Sequence, residues 1–397
     1  MNDRGFGKRI ANGFKETDIF LLLLCLAASA YGILLVYSAT INTLSEGQLI
    51  SSEFRSMLVA VPVGIIAALL ISAINYEYFV KFFWVIGAVG LLLMVFTIVF
   101  GVAPDARQDS RCWIKITESF YFQPSEVVKI AFIITFAVHL EAVKDNINSI
   151  KNVILIGLHA VVPVGLVMIT GDDGSALVFA LIILGMLIAA GLHWIYFLTG
   201  GLAIIAAIPL AWSTGLIQDF QKSRFLALIY YDSEEYARDA AYQQNQAINA
   251  IGSGKITGKG LFSGTYVQSA SIPEAKNDMI LSVAGEELGF LGAIAVILII
   301  AAIVIKIMYN SKTAKDGHGY LIDMGIASMI IGQTLINVGM CLRLLPVIGI
   351  TLPFFSAGGS SNLAVYLAIG VVLSVYRQSK KSEQYHMFYG ANVIKFT

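Results

Sequence analysis

The sequence predicts an all-α integral membrane protein with about ten transmembrane helices. Two features of the composition lead to this fold class: 57% of the 397 residues are hydrophobic, and only 13% are charged. Soluble domains carry roughly 25% charged residues, so this chain has too little polar surface to cover a water-soluble particle. The third feature is the arrangement of the apolar residues, which occur in runs of about the 20 residues that a helix needs to cross a bilayer.

Ten apolar segments are predicted to cross the membrane, at residues 18–39, 57–75, 79–101, 124–142, 152–170, 175–192, 194–213, 279–308, 320–345 and 359–377. The first follows a basic stretch and, at about 22 residues, is too long for a cleavable signal core, so we expect it to be retained. Short connections at Gly171–Gly174 and near His193 indicate tight helical hairpins. Lysine and arginine are concentrated on the N-terminal side of the membrane, which places both termini in the cytoplasm.

One connection is much longer than the others. It runs over residues 214–278, outside the cell, within a single membrane domain that spans residues 1–397. Connections longer than about 12–15 residues are usually functional or partly folded. Helix-forming residues over 234–250, with Gly252 as a stop, predict a helix on the outer surface of the membrane, followed by a glycine-rich stretch that folds back. The alternative is a flexible spacer.

Ionisable side chains near the membrane mark candidate sites, because they are costly there unless they are paired or functional. Glu126 and Lys129 begin the fourth span and, three residues apart, share a helix face. They form either a structural ion pair or a site in which Lys129 faces a substrate. Asp172 and Asp173 lie in a tight external turn. They serve as a turn or N-cap, or Asp172 holds Lys129 or a metal ion.

Two further polar clusters precede the eighth and tenth spans. Asp278 is the last charged residue before an apolar helix, where it either caps the helix or acts chemically. Glu286 and Glu287 follow about two to three turns deeper, where unpaired carboxylates are expensive. Pro353 and the Gly/Ser-rich residues 356–361 predict irregular backbone that lines a cavity. Together the four clusters predict an outward-facing polar cavity.

A set of motifs occurs in a specific order along the chain. They are Gln123-Pro124-Ser125-Glu126-Val127-Val128-Lys129; Tyr242-Gln243 with Gln246 and Ala250-Ile251-Gly252-Ser253-Gly254; Gly258-Lys259-Gly260; Pro273-Glu274 through Asp278; Gly285-Glu286-Glu287-Leu288-Gly289-Phe290; Asn337-Val338-Gly339-Met340; and Leu352-Pro353-Phe354 with Ser356 and Gly358-Gly359-Ser360-Ser361. In this order they resemble the SEDS family of shape, elongation, division and sporulation proteins (RodA, FtsW and SpoVE), over nearly the whole chain. The overall resemblance favours the RodA branch over the FtsW branch.

The resemblance implies a peptidoglycan glycosyltransferase. Members of this family polymerise lipid II, a disaccharide-pentapeptide on undecaprenyl pyrophosphate, into β-1,4 glycan on the outer face of the bacterial cytoplasmic membrane. The implied partners are a class B penicillin-binding protein as transpeptidase and other membrane proteins of the elongation or division machinery. The family's essential acid matches Asp278. Its other characteristic polar residues match Glu126, Lys129 and Asp172.

We expect Asp278 to act as a general base that takes the proton of an acceptor GlcNAc 4-hydroxyl as this oxygen attacks C1 of the donor MurNAc. Lys129 is the first candidate cation for the pyrophosphate. A divalent cation, Mg²⁺ or Mn²⁺, is expected to bridge phosphate oxygens with few protein ligands, which the spacing does not assign. The remaining candidate substrate-binding residues are Arg111, Lys255, Lys259, Lys276, Glu286 and Ser356.

Two other functions fit the sequence. One is a lipid II flippase without polymerase activity, although a flippase needs access from both faces and the polar clusters lie mostly outside. The other is a non-catalytic scaffold that activates a penicillin-binding protein. Nucleic acid is not an expected partner, because 26 basic and 26 acidic residues leave no positive field.

The chain departs from the family pattern at four positions. Cys112 stands before Trp113 where the family has Arg, with Arg111 shifted by one residue, and Asp173 replaces Leu in the external turn. Arg343 replaces a Gly and Thr351 replaces a Pro. These changes affect the expected cationic partners of the substrate and the choice of branch.

Overall fold

The computed structural model describes residues 16–44, 49–103, 110–117, 120–215, 217–231, 233 and 240–393. Over these residues the chain is largely helical, with one antiparallel hairpin of β1 (Ile114–Thr117) and β2 (Phe120–Phe122) that the sequence analysis did not predict. The helices are α1 (Ile19–Thr40), α2 (Ser52–Ala73), α3 (Tyr76–Lys81), α4 (Phe83–Phe100), α5 (Pro124–Ala142), α6 (Ile150–Ile169), α7 (Asp173–Ala189), α8 (Trp194–Ser213), α9 (Asp219–Ile229), α10 (Ala240–Ser253), α11 (Thr265–Gln268), α12 (Ile280–Glu287), α13 (Gly289–Ser311), α14 (Gly317–Cys341) and α15 (Gly359–Val393).

Each of the ten predicted spans is helical. Among the described residues, eight helices are long and apolar enough to cross a bilayer: α1, α2, α4, α6, α8, α13, α14 and α15. The other two predicted spans are α5, which carries three charged side chains, and α7, which has 17 residues. Two of the predicted spans are interrupted, one at Phe82 between α3 and α4 and one at Leu288 between α12 and α13.

Several predicted helix ends are wrong by a few residues, and local capping explains one of them. The second span begins at Ser52 rather than at residue 57, because the Ser51 hydroxyl accepts the Phe54 N–H at 3.1 Å as an N-cap. The ninth span ends at Cys341, four residues early. Arg343 follows with a φ of +54°, which is incompatible with a continuing right-handed helix.

Helices α14 and α15 form the centre of the bundle. In their apolar windows 72% and 78% of the residues are buried, whereas in α8 none is, so α8 lies at the periphery. Glycines bring α2 and α15 close together: a Cβ on Gly64 would lie 2.9 Å from Tyr366, and one on Gly370 would lie 2.8 Å from the Cα of Ala68. Such small-residue contacts let membrane helices approach closely.

The long external loop is folded onto the bundle, so the flexible-spacer alternative is wrong. Its predicted helix over 234–250 corresponds to α10, which begins at Ala240; residues 234–239 lie outside the described part of the chain. The preceding helix α9 was not predicted. Buried Ala247 and Ala250 lie on α10, which packs against α12, and Gln244 donates to the carbonyls of Met340 and Leu345 at 3.0 and 2.7 Å.

Candidate active site

The turn that carries Asp278 lies between the external loop and α12. Residues 273–279 form consecutive turns, and the N-cap position of α12 is occupied by Met279. Asp278 therefore precedes the cap, and the interpretation of this residue as the N-cap is wrong. Only 5% of Asp278 is exposed. A nearly buried carboxylate at the start of an apolar helix is a candidate for chemistry rather than for solvation.

Two buried polar side chains hold this turn in place. The Asn337 amide on α14 donates to the backbone oxygens of Asp278 and Ile350, both at 2.8 Å. The Ser356 hydroxyl donates to the carbonyl of Asn277 at 2.6 Å. Because buried donors and acceptors are costly to leave unpaired, these contacts fix the backbone next to Asp278. Ser356 supports the candidate base in this way, and direct substrate binding by Ser356 stays a prediction.

Glu126 and Lys129 form the predicted ion pair. Their carboxylate and ammonium groups are 2.8 Å apart, and their side chains are 5% and 0% exposed. Gln333 on α14 donates to the other carboxylate oxygen of Glu126 at 3.4 Å. Gln333 and Asn337 are one helical turn apart, so their Cβ atoms are about 6 Å apart on one face of α14. Helix α14 therefore brings the ion pair and the Asp278 turn to the same place.

Asp172 is an N-cap and a cross-link between two helices. Its carboxylate accepts the backbone N–H of Ser175 at 3.0 Å, the Ser125 hydroxyl at 2.7 Å and the Gln123 amide at 2.7 Å. It therefore joins the start of α7 to the start of α5. The alternative in which Asp172 holds Lys129 is wrong, because the ion partner of Lys129 is Glu126. Contact between Asp172 and a substrate stays a prediction.

Glu286 and Glu287 anchor the glycine-rich segment of the external loop. Glu286 is fully buried and accepts the Lys259 ammonium at 2.7 Å and the backbone N–H groups of Tyr266 and Val267, both at 2.9 Å. Glu287 accepts hydrogen bonds from side chains on α1 and α11. The two carboxylates are thus satisfied within the protein. Substrate binding by Glu286 and Lys259 stays a prediction.

The glycines of this segment are required by its close approach to α12. A Cβ on Gly254 would lie 2.0 Å from the carbonyl oxygen of Gly285, which is far inside van der Waals contact. Gly258 has a φ of +81°, and its Cβ would lie 2.1 Å from the carbonyl oxygen of Glu287. The Gly-Lys-Gly motif therefore has a packing explanation.

The other candidate cations lie at different places on the same end of the bundle. Lys276, two residues before Asp278, pairs with Glu53 at the start of α2 at 2.6 Å. Arg111 lines a polar pocket of about 190 Å³ with Asp173, whose carboxylate accepts from Gln221 at 2.7 Å. Lys276 is thus adjacent to the candidate base, while Arg111 lies beside α9. Lys255 is exposed, and its carbonyl is bound by the N–H of residue 290.

Gln333 and the role of Asn337 were missed by the sequence analysis. Both are buried amides in a membrane-spanning helix, four residues apart. This spacing places them on one face, and a pair of amides inside a membrane helix is itself a signal of an interior polar site. Their partners could not be identified from the sequence, because Glu126 and Asp278 are 207 and 59 residues away.

Comparison with known proteins identifies the family. The family model for FtsW, RodA and SpoVE, described as cell cycle protein, matches residues 18–381. The chain belongs to this family. A Trichlorobacter lovleyi relative named "Probable peptidoglycan glycosyltransferase FtsW" is 31% identical over 91% of this chain and 93% of its own length. Stage V sporulation protein E of Bacillus subtilis is 30% identical over 91% and 98%. Neither of these relatives is named RodA, so the preference for the RodA branch stays a prediction.

A solved structure has the same fold. It comes from a peptidoglycan synthase complex that coordinates polymerization and crosslinking, and it matches with a TM-score of 0.75 over 91% of this chain and 98% of its own, at 24% identity. The FtsW/RodA/SpoVE chain described here is a multi-pass protein of the bacterial cytoplasmic membrane.

The structure explains one departure from the family pattern. Arg343 has a φ of +54°, a left-handed conformation that glycine adopts without strain. Here the guanidinium stacks on Tyr231, 3.7 Å from the ring centroid, and donates to Asn245 at 2.6 Å. These contacts offset the backbone strain and tie the end of α14 to the external loop.

Proposed function

We propose that this chain is a peptidoglycan glycosyltransferase that polymerises lipid II on the outer face of the membrane. The observation that carries the proposal is a nearly buried carboxylate, Asp278, in a turn fixed by Asn337 and Ser356. The buried Glu126–Lys129 pair lies against the same face of α14. The names of the relatives support this activity.

In the proposed reaction the 4-hydroxyl oxygen of the acceptor GlcNAc attacks C1 of the donor MurNAc. Asp278 takes the hydroxyl proton, the new C1–O bond forms, and the bond from C1 to the pyrophosphate oxygen breaks. General base catalysis of this kind contributes about 10²–10⁴ in rate. The ammonium of Lys129 stabilises negative charge on the leaving group, because a lysine carries three donors and only one of them is directed at Glu126.

The predicted divalent cation remains a proposal without assigned protein ligands. Among the described residues there is no group of three His, Cys, Asp or Glu side chains that could hold a metal ion. The described residues therefore offer no site with three such protein ligands, and no step of the proposed reaction depends on a metal ion. Titration of glycan synthesis by the wild-type protein with EDTA, followed by Mg²⁺ or Mn²⁺, tests the requirement.

The packing below the ion pair favours a transferase over a flippase. One to two turns further along α5, Ile133 is fully buried and so close to α14 that a Cβ on Gly325 would lie 2.6 Å from it. At this level the interface between α5 and α14 is apolar and closely packed. A flippase needs a polar path from both faces.

A crosslinking partner is part of the proposal. The similar solved structure comes from a complex in which polymerization and crosslinking are coordinated. Crosslinking requires a transpeptidase, so we expect a class B penicillin-binding protein to bind this chain, with other elongation or division proteins. Co-purification of a transpeptidase with the tagged full-length chain tests this expectation.

The activity is tested with the purified protein in detergent and labelled lipid II, alone and with its co-expressed transpeptidase. We expect the wild-type protein to form glycan and Asp278→Asn to bind lipid II without polymerising it. Asp173→Asn is the matched control, since it alters an acid of the same end of the bundle that pairs with Gln221. Lipid II binding without polymer by the wild-type protein would support the flippase or the scaffold. Normal polymer from Asp278→Asn would remove this residue as the base.

A further inference from the structure

A groove runs down the outer half of the bundle between α2 and α15. Its volume is about 350 Å³. The α2 residues that line the groove are spaced three or four positions apart, so they lie on one face of the helix. The groove is lined by Ser52, Arg55, Ser56, Val59, Val63 and Leu363.

The groove is polar at one end and apolar along the rest. Ser52, Arg55 and Ser56 lie in the first turns of α2, on the end of the bundle that carries the Asp278 turn. Val59 and Val63 follow, 59% and 48% exposed, one and two turns deeper. At a rise of 1.5 Å per residue the lining extends about 16 Å into the apolar part of the bundle. A charged head with an apolar tail fits such a shape.

The charged residue at the polar end of the groove is Arg55. Within the described part of the chain Arg55 has no carboxylate partner, and the acid closest to it in sequence, Glu53, pairs with Lys276 at 2.6 Å. Arginine presents several donors in a planar fork that matches phosphate geometry. The groove therefore attracts an anion with several oxygen acceptors.

The same ion pair connects the groove to the candidate base. Glu53 lies two residues before Arg55, and Lys276 lies two residues before Asp278. On the other wall, Gly359 lines the groove. Two residues before it, the backbone N–H of Ala357 donates to the carbonyl of Lys276 at 3.0 Å. A pyrophosphate at Arg55 would lie at the edge of the reaction site, with its lipid tail between the two helices.

We propose that this groove binds the polyprenyl pyrophosphate of a lipid-linked substrate or product, with Arg55 on the pyrophosphate and Val59 and Val63 along the prenyl chain. This inference rests on the proposed function for the identity of the lipid. It adds a binding residue, Arg55, that the sequence analysis did not single out. An ordinary anionic phospholipid or free pyrophosphate also carries phosphate groups that Arg55 could bind, so the test must distinguish these two ligands from a polyprenyl pyrophosphate.

The test measures binding of farnesyl pyrophosphate to the purified full-length protein in a neutral detergent. We expect Arg55→Gln to weaken binding about tenfold or more, and Arg55→Lys to recover only part of it, because the charge is kept but the planar fork of donors is lost. Lys312→Gln, an exposed cation on the opposite end of the bundle, should leave binding unchanged. For the apolar wall, Val59→Asn should weaken binding severalfold, while Leu58→Asn, one residue away and outside the groove, should not.

Three outcomes would overturn the proposal. They are equal binding by the wild type and Arg55→Gln, equal affinity for inorganic pyrophosphate and farnesyl pyrophosphate, and equal Arg55-dependent affinity for phosphatidylglycerol. Lipid II polymerisation by the wild type is measured in parallel. Polymer together with Arg55-independent binding refutes the groove alone. Arg55-dependent binding without polymer refutes the transferase and leaves the groove in place.

Discussion

The buried Glu126–Lys129 pair allows the structural and chemical roles of a lysine to be separated by measurement. Lys129→Met leaves the Glu126 carboxylate buried without its ammonium, and the Gln333 amide, a neutral donor at 3.4 Å, does not replace the positive charge. Breaking a buried pair in this way costs about 3–5 kcal/mol. The double variant Glu126→Gln/Lys129→Met removes both charges, so we expect it to recover most of that stability.

The assay is thermal unfolding in detergent together with glycan synthesis from lipid II. We expect Lys129→Met to unfold at a lower temperature and to be inactive, and the double variant to be stable but still inactive. The matched control is Lys144→Met in the pair with Glu141, which has the same three-residue spacing at 2.6 Å, with Glu141 in the last turn of α5 and Lys144 just beyond its end. The Lys144 side chain is 59% exposed, so stability should hardly change.

Two results would refute this reasoning. If Lys129→Met unfolds at the wild-type temperature, the ion pair is not buried in the folded protein as its contacts indicate. If the double variant recovers polymerisation along with stability, Lys129 has only a structural role and another group must stabilise the pyrophosphate. Lys276 would then be the next candidate.

Three further predictions follow from the packing and hydrogen bonding. Gly254→Ala should destabilise the external loop by about 1–3 kcal/mol and speed its proteolysis, because the Cβ would lie 2.0 Å from a carbonyl oxygen of α12; Gly252→Ala, where the space is open, should not. Asn337→Leu removes two hydrogen bonds, so it should lower the free energy of unfolding by about 2 kcal/mol and reduce glycan synthesis. Thr334→Val, one turn away on the same helix, should retain activity. Burial raises the pKa of Asp316, but hydrogen bonds from His318, the Gly319 N–H and Tyr76 outweigh this effect and lower the pKa to about 2. Because the ordinary pKa is about 3.9, this carboxylate stabilises the folded state above about pH 4 and loses that effect as the pH falls towards 2, so melting curves of the wild type and Asp316→Asn should converge over that interval.

The sequence alone predicted the features that depend on neighbouring residues. The ten helical segments follow from apolar runs, because every backbone polar group within a bilayer must be bonded inside its own segment. The Glu126–Lys129 pair follows from its three-residue spacing within one helix. The breaks at Phe82 and Leu288 were not predicted, although each directly follows charged residues, Lys81 in one case and Glu286-Glu287 in the other.

The polar groups that meet in the folded chain come from segments far apart in the sequence. Glu53 and Lys276 are separated by 223 residues, and Glu286 and Lys259 by 27, so no local pattern identifies either pair. The sequence indicates Glu286 only as one of several candidate substrate ligands. In the folded chain its carboxylate binds Lys259 and the backbone of the external loop.

A polytopic helical membrane protein and its family could both be identified without the fold, because both depend on the kind and order of residues along the chain. The geometry around Asp278 required the fold. Its turn is held by Asn337 from α14 and by Ser356 from the segment before α15, and each of these contacts closes a loop of more than 50 residues. Such contacts form only when packing of the whole bundle has offset the entropy of bringing distant segments together.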